Sequence, residues 1–295
     1  MSYETIVTAH SNSILTRSGY ALRPRLDPNP LRLSPYTAMF QFLDLSYDPR
    51  EHGSHYDPFY GTHDWKPGST WTQVSSNPNL WTYHRESNDW SLEFDDSNGV
   101  FLGRVRLLGA NTTGITDMRR MFDGDKMDSI VLFDTSAVTD LRSTFEGTGT
   151  MEPVHQYPLE NPYMYWSPNF DLSEAVRLDN MFYACDLVET PRVVAPKATS
   201  ASGMFQAFDG PSADYPMTLE VINDMELPVV DDVSYMFYGQ RRVKSGALAL
   251  YRKLSTQAHV PANHESCFRY CGSMTPTGLA ELQQIPTSWG GLKEE

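Results

Sequence analysis

Three histidines, His52, His55 and His63, share one short stretch with the carboxylates of Asp57 and Asp64. Imidazole and carboxylate groups are common zinc ligands, so these residue types raise the question of a metal site. The histidines have neither the i,i+4 spacing that places two ligands on one helix face nor a regular strand spacing. The pattern favours a solvated loop, and we predict no metal site and no cofactor.

Other carboxylates are grouped without a catalytic arrangement. Asp123, Asp125 and Asp128 resemble a calcium loop superficially, but the glycine and the distal glutamate of an EF-hand are missing, so a charged turn is favoured. Glycosidases use two carboxylates across one bond, whereas the neighbours in Asp95–Asp96 and Asp231–Asp232 point in different directions. The sequence has no phosphate loop, nucleophile elbow or dinucleotide fingerprint. We predict no catalytic residues and therefore no enzymatic activity.

Composition further restricts the class of protein to which this chain can belong. The chain has 295 residues, with 23 basic and 37 acidic side chains and a formal charge of -14, which disfavours contact with nucleic acid or anionic membranes. No apolar stretch reaches transmembrane length, and residues 1–10 lack the pattern of an export signal, so we expect no membrane insertion. The three cysteines have no zinc spacing and form no disulfide framework, which favours buried thiols.

The elements that position these residues come from a repeat. The phrase ITDMRRMF at residues 115–122 returns as VTDLRSTF at residues 138–145. Counted from phenylalanine to phenylalanine, the steps are 23 (122 to 145), 37 (145 to 182), 23 (182 to 205), 32 (205 to 237) and 31 (237 to 268). Because one short unit cannot bury its own apolar face, the copies must stack side by side.

Apolar residues at i, i+3, i+6 and i+7 of each unit predict a short helix, and the apolar runs 130–133 and 187–194 predict one strand per unit, with 104–109 opening the array. The fold class predicted is α/β: a leucine-rich-repeat-like solenoid of short helix plus strand per repeat, preceded by a small β-rich domain. The predicted repeat core is Met118, Met121, Phe122, Leu141, Phe145, Leu178, Met181, Phe182, Met204, Phe205, Met236, Phe237 and Phe268.

Three regions follow from this pattern. Residues 1–103 form the β-rich domain, an attachment or oligomerisation part with strands expected at 5–8, 21–26 and 37–43. Its tryptophans, Trp65, Trp71, Trp81 and Trp90, either fill a core, which we favour, or form a sugar-stacking surface. Residues 104–272 form the irregular solenoid, with a cap expected at 88–94. Residues 273–295 form a C-terminal cap and tail, and helices are expected at 243–257 and 278–285.

Two inserts interrupt the repeats, at 146–170 and 206–217. Loops on one edge of a repeat array often carry contacts, and aromatic residues are frequent in interface hot spots. The candidate binding residues are in the first insert: His155, Tyr157, Tyr163, Tyr165 and Trp166. The alternative is that these rings pack on the protein's own body or on a neighbouring subunit.

The repeat phrases resemble those of known proteins. FDTSAVTDL at 133–141, NMFYAC at 180–185 and YMFYG at 235–239 look like the BspA-like leucine-rich repeats of bacterial surface proteins, over about residues 105–272. WTQVSSNPNLW at 71–81, and SGALALY at 245–251 with IPTSWGG at 285–291, look like repeat proteins encoded by phages of gut Bacteroidetes. The resemblance implies a solenoid with an adhesive or virion role and transfers no catalytic residues.

Three functions therefore stay open. The first is a non-enzymatic phage virion structural protein, tail-fibre-like or a head-fibre or capsid decoration. It would lie on the virion surface after assembly in the host cytoplasm, and it would contact other virion proteins, further copies of itself as a homo-oligomer, and a host surface glycan or protein. The second is an extracellular adhesin on the bacterial cell surface. The third is a polysaccharide depolymerase.

Overall fold

The computed structural model describes residues 31–42, 56–57, 61–62, 68–74, 77–91, 105–123, 127–130, 133–147, 165–166, 170–185, 187–207 and 218–294. The strands in these ranges are β1 Thr37–Phe42, β2 Tyr56–Asp57, β3 Gly61–Thr62, β4 Ser69–Gln73, β5 Leu80–Arg85, β6 Val105–Asn111, β7 Met127–Ile130, β8 Tyr165–Trp166, β9 Val193–Val194 and β10 Met225–Glu226. The helices are α1 Ala247–Thr256, α2 Pro276–Leu282 and a short 3-10 helix, Thr287–Trp289. Regular secondary structure is therefore sparse in the described residues.

The largest sheet has the strand order β4-β5-β1-β6-β7-β8. Its first four strands are antiparallel, and β6, β7 and β8 are parallel to one another. Since β1 pairs with β6, strands on both sides of the boundary expected after residue 103 belong to one sheet. The strands expected at 5–8 and 21–26 lie outside the described residues.

Aromatic side chains fill the interior beside the antiparallel strands. Alternation in β1 and β5 turns Phe40 and Tyr83 inward, and neither is exposed. The Trp71 ring lies 5.5 Å from the Phe40 ring and 5.2 Å from the Tyr83 ring, and Trp90 lies 5.4 Å from Tyr83. Trp71, Trp81 and Trp90 are therefore core residues and do not form a sugar-stacking surface. The side chain of Trp65 lies outside the described residues.

Parallel backbone bridges join corresponding positions of successive repeats. They occur at the residue that is aspartate in the phrase TD and run in the order Asp89, Asp117, Asp140, Arg177, Ser200, Asp232 and Asn263. Most of these side chains close a local turn: Asp117 Oδ1, for example, accepts the amide of Arg119 at 3.0 Å, and Asp232 Oδ1 accepts that of Ser234 at 2.9 Å. Asp89 provides the first bridge of the series, within the segment expected as a cap.

The rings of the repeat phenylalanines form one stack along these bridges. Their centroids are 5.6 Å apart for Phe122 and Phe145, then 5.4, 5.3, 5.3 and 5.8 Å for the steps to Phe182, Phe205, Phe237 and Phe268, with interplanar angles of 14° or less. Every residue of the predicted repeat core named above is at most 1% exposed. The leucine-rich-repeat-like solenoid as a whole stays a prediction.

Turns replace the short helix that was expected in each unit. The residue two positions before the repeat phenylalanine has a left-handed φ between 54° and 61° in every described copy, at Arg120, Ser143, Asn180, Gly203, Tyr235 and Ser266. A left-handed residue cannot continue a right-handed helix, and it costs roughly 1 kcal/mol when it is not glycine. The backbone amides instead bond to the next repeat, as from Phe182 N to Met204 O at 2.8 Å. Bonds between repeats therefore take the place of bonds within a helix.

Thr144 occupies a methionine position and adds a polar link between two repeats. The side chain is fully buried, and its hydroxyl lies 2.9 Å from the carbonyl oxygen of Met118 and 2.8 Å from that of Leu141. We expect Thr144→Val to lower the free energy of unfolding by about 1 kcal/mol, because the hydrogen bonding is lost at nearly constant volume. Urea denaturation followed by circular dichroism measures this. Thr139→Val, at an exposed threonine of the same repeat, is the control, and an equal effect of both variants would contradict the prediction.

The two C-terminal helices are close to the predicted ones. α1 begins at Ala247 rather than 243, since Gly246 at its N-cap has a φ of 102°. α2 begins at Pro276 rather than 278, because the Thr275 side chain caps it by accepting the amide of Gly278. Leu250, Leu254 and Leu282 are buried. Both helices thus pack on the last repeats.

The three cysteines, at positions 185, 267 and 271, are buried, and Cys267 and Cys271 are free thiols. Burial away from water raises the pKa of Cys267 and of Cys271 well above the usual range. We expect both to resist Ellman's reagent in the native protein at pH 8 and to react once the protein is unfolded. Because only the unfolded thiols ionise, native stability should fall as the pH rises above about 8.5, the usual thiol pKa. Rapid reaction of the native protein would contradict this prediction.

Candidate binding surface

In five of the six stacked repeats the side chain directly after the stacked phenylalanine lies at the surface, whereas Asp123, which follows Phe122, is buried. These residues are Glu146, Tyr183, Gln206 and Tyr238, which are half-buried, and Arg269, which is exposed. Their carbonyl groups accept successive amides, as from Ala184 N to Gln206 O at 2.8 Å and from Gly239 N to Arg269 O at 2.9 Å. The side chains therefore follow one another along the protein at the spacing of parallel strands, about 4.8 Å.

We call this row of side chains the column. In the last two repeats, two of its members lie in a cluster of aromatic and cationic side chains, which we call the tyrosine–arginine surface: Tyr235, Tyr238, Tyr270, Arg241 and Arg269. The Tyr238 ring lies 5.7 Å from both the Tyr235 and the Tyr270 ring. The guanidinium carbons of Arg241 and Arg269 lie 5.3 and 5.1 Å from the Tyr270 ring centroid. Tyr235 is 36% and Tyr270 is 38% exposed, so ring area is open to solvent.

The electrostatics of this surface differ from those of the earlier repeats. Arg119 pairs with Asp117, Arg142 with Asp140 and Arg177 with Asp179, each at 2.7 Å. These hydrogen bonds raise the pKa of Arg119 and of Arg142 and keep a carboxylate beside each guanidinium group. In the part of the chain that the structure describes, Arg241 and Arg269 have ring contacts and no carboxylate partner.

One carboxylate lies at the edge of the surface. The Tyr235 hydroxyl donates to Glu265 Oε1 at 3.0 Å, and this bond raises the pKa of Tyr235. At the other edge, Arg269 Nη2 donates to the Tyr270 hydroxyl at 3.3 Å, which raises the pKa of Arg269. The cationic groups are thus held beside Tyr270 while the carboxylate stays occupied by Tyr235.

The predicted insert residues are not part of this surface. His155, Tyr157 and Tyr163 lie outside the described residues. The backbone of Tyr165 and Trp166 forms β8 and pairs with Ser129 and Ile130 of β7. Tyr235 and Tyr238 of the surface were visible in the sequence as the two tyrosines of the phrase YMFYG, but the repeat pattern pointed to the buried Met236 and Phe237 between them. The two arginines had no signal in the repeat.

The carboxylate groups considered for chemistry are engaged in turns and ion pairs where they are described. Asp232 accepts hydrogen bonds from Ser234 and Asn263, whereas Asp231 lies 3.4 Å from His259. Asp123 pairs with Arg120 at 2.5 Å. His52, His55, His63, Asp64, Asp95, Asp96 and Asp125 lie outside the described residues, as do the side chains of Asp57 and Asp128. Within the described ranges, no group of three potential metal ligands occurs, and no helix is long and apolar enough to span a bilayer.

These features define a repeat protein whose copies are joined by parallel bridges. A family model described as Mycoplasma protein of unknown function, DUF285, matches residues 105–215. The matched region begins at β6 and includes the first four bridged repeats after Asp89. Neither the curated proteins nor the solved structures contain a match to the chain.

Proposed function

We propose that this chain is a non-enzymatic structural protein of a phage virion, tail-fibre-like or a head-fibre or capsid decoration. In this proposal the repeats form a leucine-rich-repeat-like solenoid, and its outer surface contacts other virion proteins or the host. The observation that carries the proposal is the tyrosine–arginine surface, which exposes aromatic and cationic groups on a rigidly stacked support. Exposed tyrosine and arginine are the residue types enriched where protein surfaces bind partners.

The support for a virion, rather than another setting, is the resemblance of residues 71–81, 245–251 and 285–291 to repeat proteins of phages. The described residues of these segments lie in and between β4 and β5, at the start of α1, and in the 3-10 helix with its flanks. They lie outside the part of the chain matched by the family model. The proposal also includes a homo-oligomer, because fibres and decorations attach to symmetric particles.

A bacterial cell-surface adhesin is the second candidate. The family match over residues 105–215 favours it, since that family is described from a cellular organism. Both candidates use the repeats for contact and assign no catalytic residue. They differ in where the chain is found, on a particle or on a cell envelope. A depolymerase would differ from both by releasing reducing ends from a polysaccharide.

Mass spectrometry of gradient-purified particles and of the cell envelope, from one culture that makes this chain, distinguishes the candidates. We expect the chain in the particle fraction at a fixed ratio to the major capsid protein. An antibody against the chain should then label the particle surface in electron micrographs. Recovery from the envelope alone would replace the virion proposal by the adhesin, and reducing ends released from host capsule by the purified chain would establish the depolymerase.

A further inference from the structure

We infer that the tyrosine–arginine surface binds an anionic polysaccharide, whose carboxylate or sulfate groups meet Arg241 and Arg269 and whose sugar rings lie on the tyrosines. The inference deepens the proposed function and rests on it in one respect, that the repeat surface is used for contact. It adds the chemical class of the ligand and the residues that recognise it.

The charge of the surface is the first reason to expect an anionic ligand. The chain carries a formal charge of -14, and the ion pairs of the earlier repeats leave little free positive charge there. At the tyrosine–arginine surface, Arg241 and Arg269 keep their charge available, and Arg242, next to Arg241 in sequence, is exposed. A local excess of positive charge on an acidic protein is complementary to a ligand that carries repeated negative charges.

The second reason is that the two guanidinium groups are preorganised for binding. Both guanidinium groups rest against the Tyr270 ring, and Tyr238 meets that ring edge-on with an interplanar angle of 73°. A planar guanidinium held on an aromatic ring still presents donors to a carboxylate or sulfate, and less side-chain entropy is lost on binding. The exposed rings of Tyr235 and Tyr270 then supply flat apolar area beside the charges, as a sugar ring requires.

Spacing distinguishes a polysaccharide from an acidic peptide. The column Glu146, Tyr183, Gln206, Tyr238 and Arg269 offers one side chain per repeat, about 4.8 Å apart, and its carboxylate, Glu146, lies at the end away from the two arginines. An extended peptide places side chains on one face about 6.8 Å apart, so its acidic groups would not stay in register with the column. A linear polymer of pyranose rings advances by about one repeat spacing per sugar, so successive sugars meet successive side chains of the column.

The test is binding of the purified full chain to immobilised polymers by biolayer interferometry at low ionic strength. Polygalacturonate and alginate carry carboxylates, dextran sulfate carries sulfates, neutral dextran has no charge, and polyglutamate presents carboxylates on a peptide. We expect binding to the anionic polysaccharides, weakening as salt is raised, and little binding to dextran or polyglutamate. Replacing both arginines, in R241Q/R269Q, should raise the Kd at least about tenfold, because two charge-assisted contacts are lost.

Matched variants keep the result interpretable. Arg192→Gln removes an exposed arginine that is paired with Glu226 at 3.1 Å, and it should leave the Kd unchanged. R241K/R269K keeps the charge and should recover part of the affinity, whereas a folding defect would not be reversed in this way. Equal thermal unfolding midpoints for all variants would show that the stack is intact.

Three outcomes would overturn the inference: no binding to any anionic polysaccharide, equal binding to polyglutamate or dextran, or full binding by R241Q/R269Q. None of them bears on whether the chain is found in particles. Conversely, a chain that is absent from particles but binds polygalacturonate through these arginines would end the virion proposal and keep the inference.

Discussion

Phe205→Ala should lower the free energy of unfolding by about 3–5 kcal/mol. The Phe205 ring is 1% exposed and stacks at 5.3 Å on Phe182 on one side and at 5.3 Å on Phe237 on the other. Its removal leaves a cavity in the middle of the stack that the bridged backbones cannot close. Guanidinium denaturation followed by circular dichroism measures the change.

The control for this prediction is Tyr238→Ala, which removes a half-buried surface ring from the next repeat and should cost about 1 kcal/mol or less. In a repeat array each unit is stabilised mainly by its neighbours, so Phe205→Ala should also make the flanking repeats separately susceptible to protease. Equal destabilisation by the two variants would show that the ring stack does not hold the repeats together.

Gly246→Ala should be destabilising by about 3 kcal/mol, combining backbone strain with a collision. Gly246 has a φ of 102°, and a Cβ there would lie 2.1 Å from the carbonyl oxygen of Ile222. That oxygen belongs to a backbone already bridged to the residue before the glycine, since Ile222 N donates to Ser245 O at 3.0 Å. The contact therefore cannot be relieved without moving α1 away from the preceding repeat.

Gly68→Ala separates the two contributions. Gly68 has a φ of 88°, and a Cβ there would meet no atom within 4 Å, so only the strain of about 1 kcal/mol applies. The thermal unfolding midpoint of each variant reports the difference. If both variants lost the same stability, the close approach of α1 to Ile222 would have no energetic role.

The sequence predicted the buried positions of the repeats well because a period in apolar residues reflects burial directly. It predicted the local conformation poorly. An i, i+3, i+7 pattern is typical of a helix, but the left-handed residue at each of Arg120, Asn180 and Tyr235 is not glycine and carries no signal of its conformation. The backbone follows bonds to the next repeat, which a local pattern does not contain.

Pairing between residues far apart in the sequence also explains why the structure differs from the prediction at the N-terminal side and at the candidate site. The register between β1 and β6 joins residues about 70 apart, and no composition change marks it. The tyrosine–arginine surface brings Tyr235, Tyr238 and Arg241 of one repeat beside Arg269 and Tyr270 of the next, so it exists only once the repeats are aligned. The binding residues were predicted in the insert at 146–170 instead, because that insert is unusually rich in aromatic residues.

The spacing of the ring stack does not depend on how much chain lies between two rings. It is 5.6 Å across the 23-residue step from Phe122 to Phe145 and 5.4 Å across the 37-residue step from Phe145 to Phe182. Backbone bonds set the register, so extra residues between repeats leave the scaffold unchanged. The positions that already accommodate 14 additional residues are therefore natural sites at which to graft a foreign epitope or reporter peptide for display.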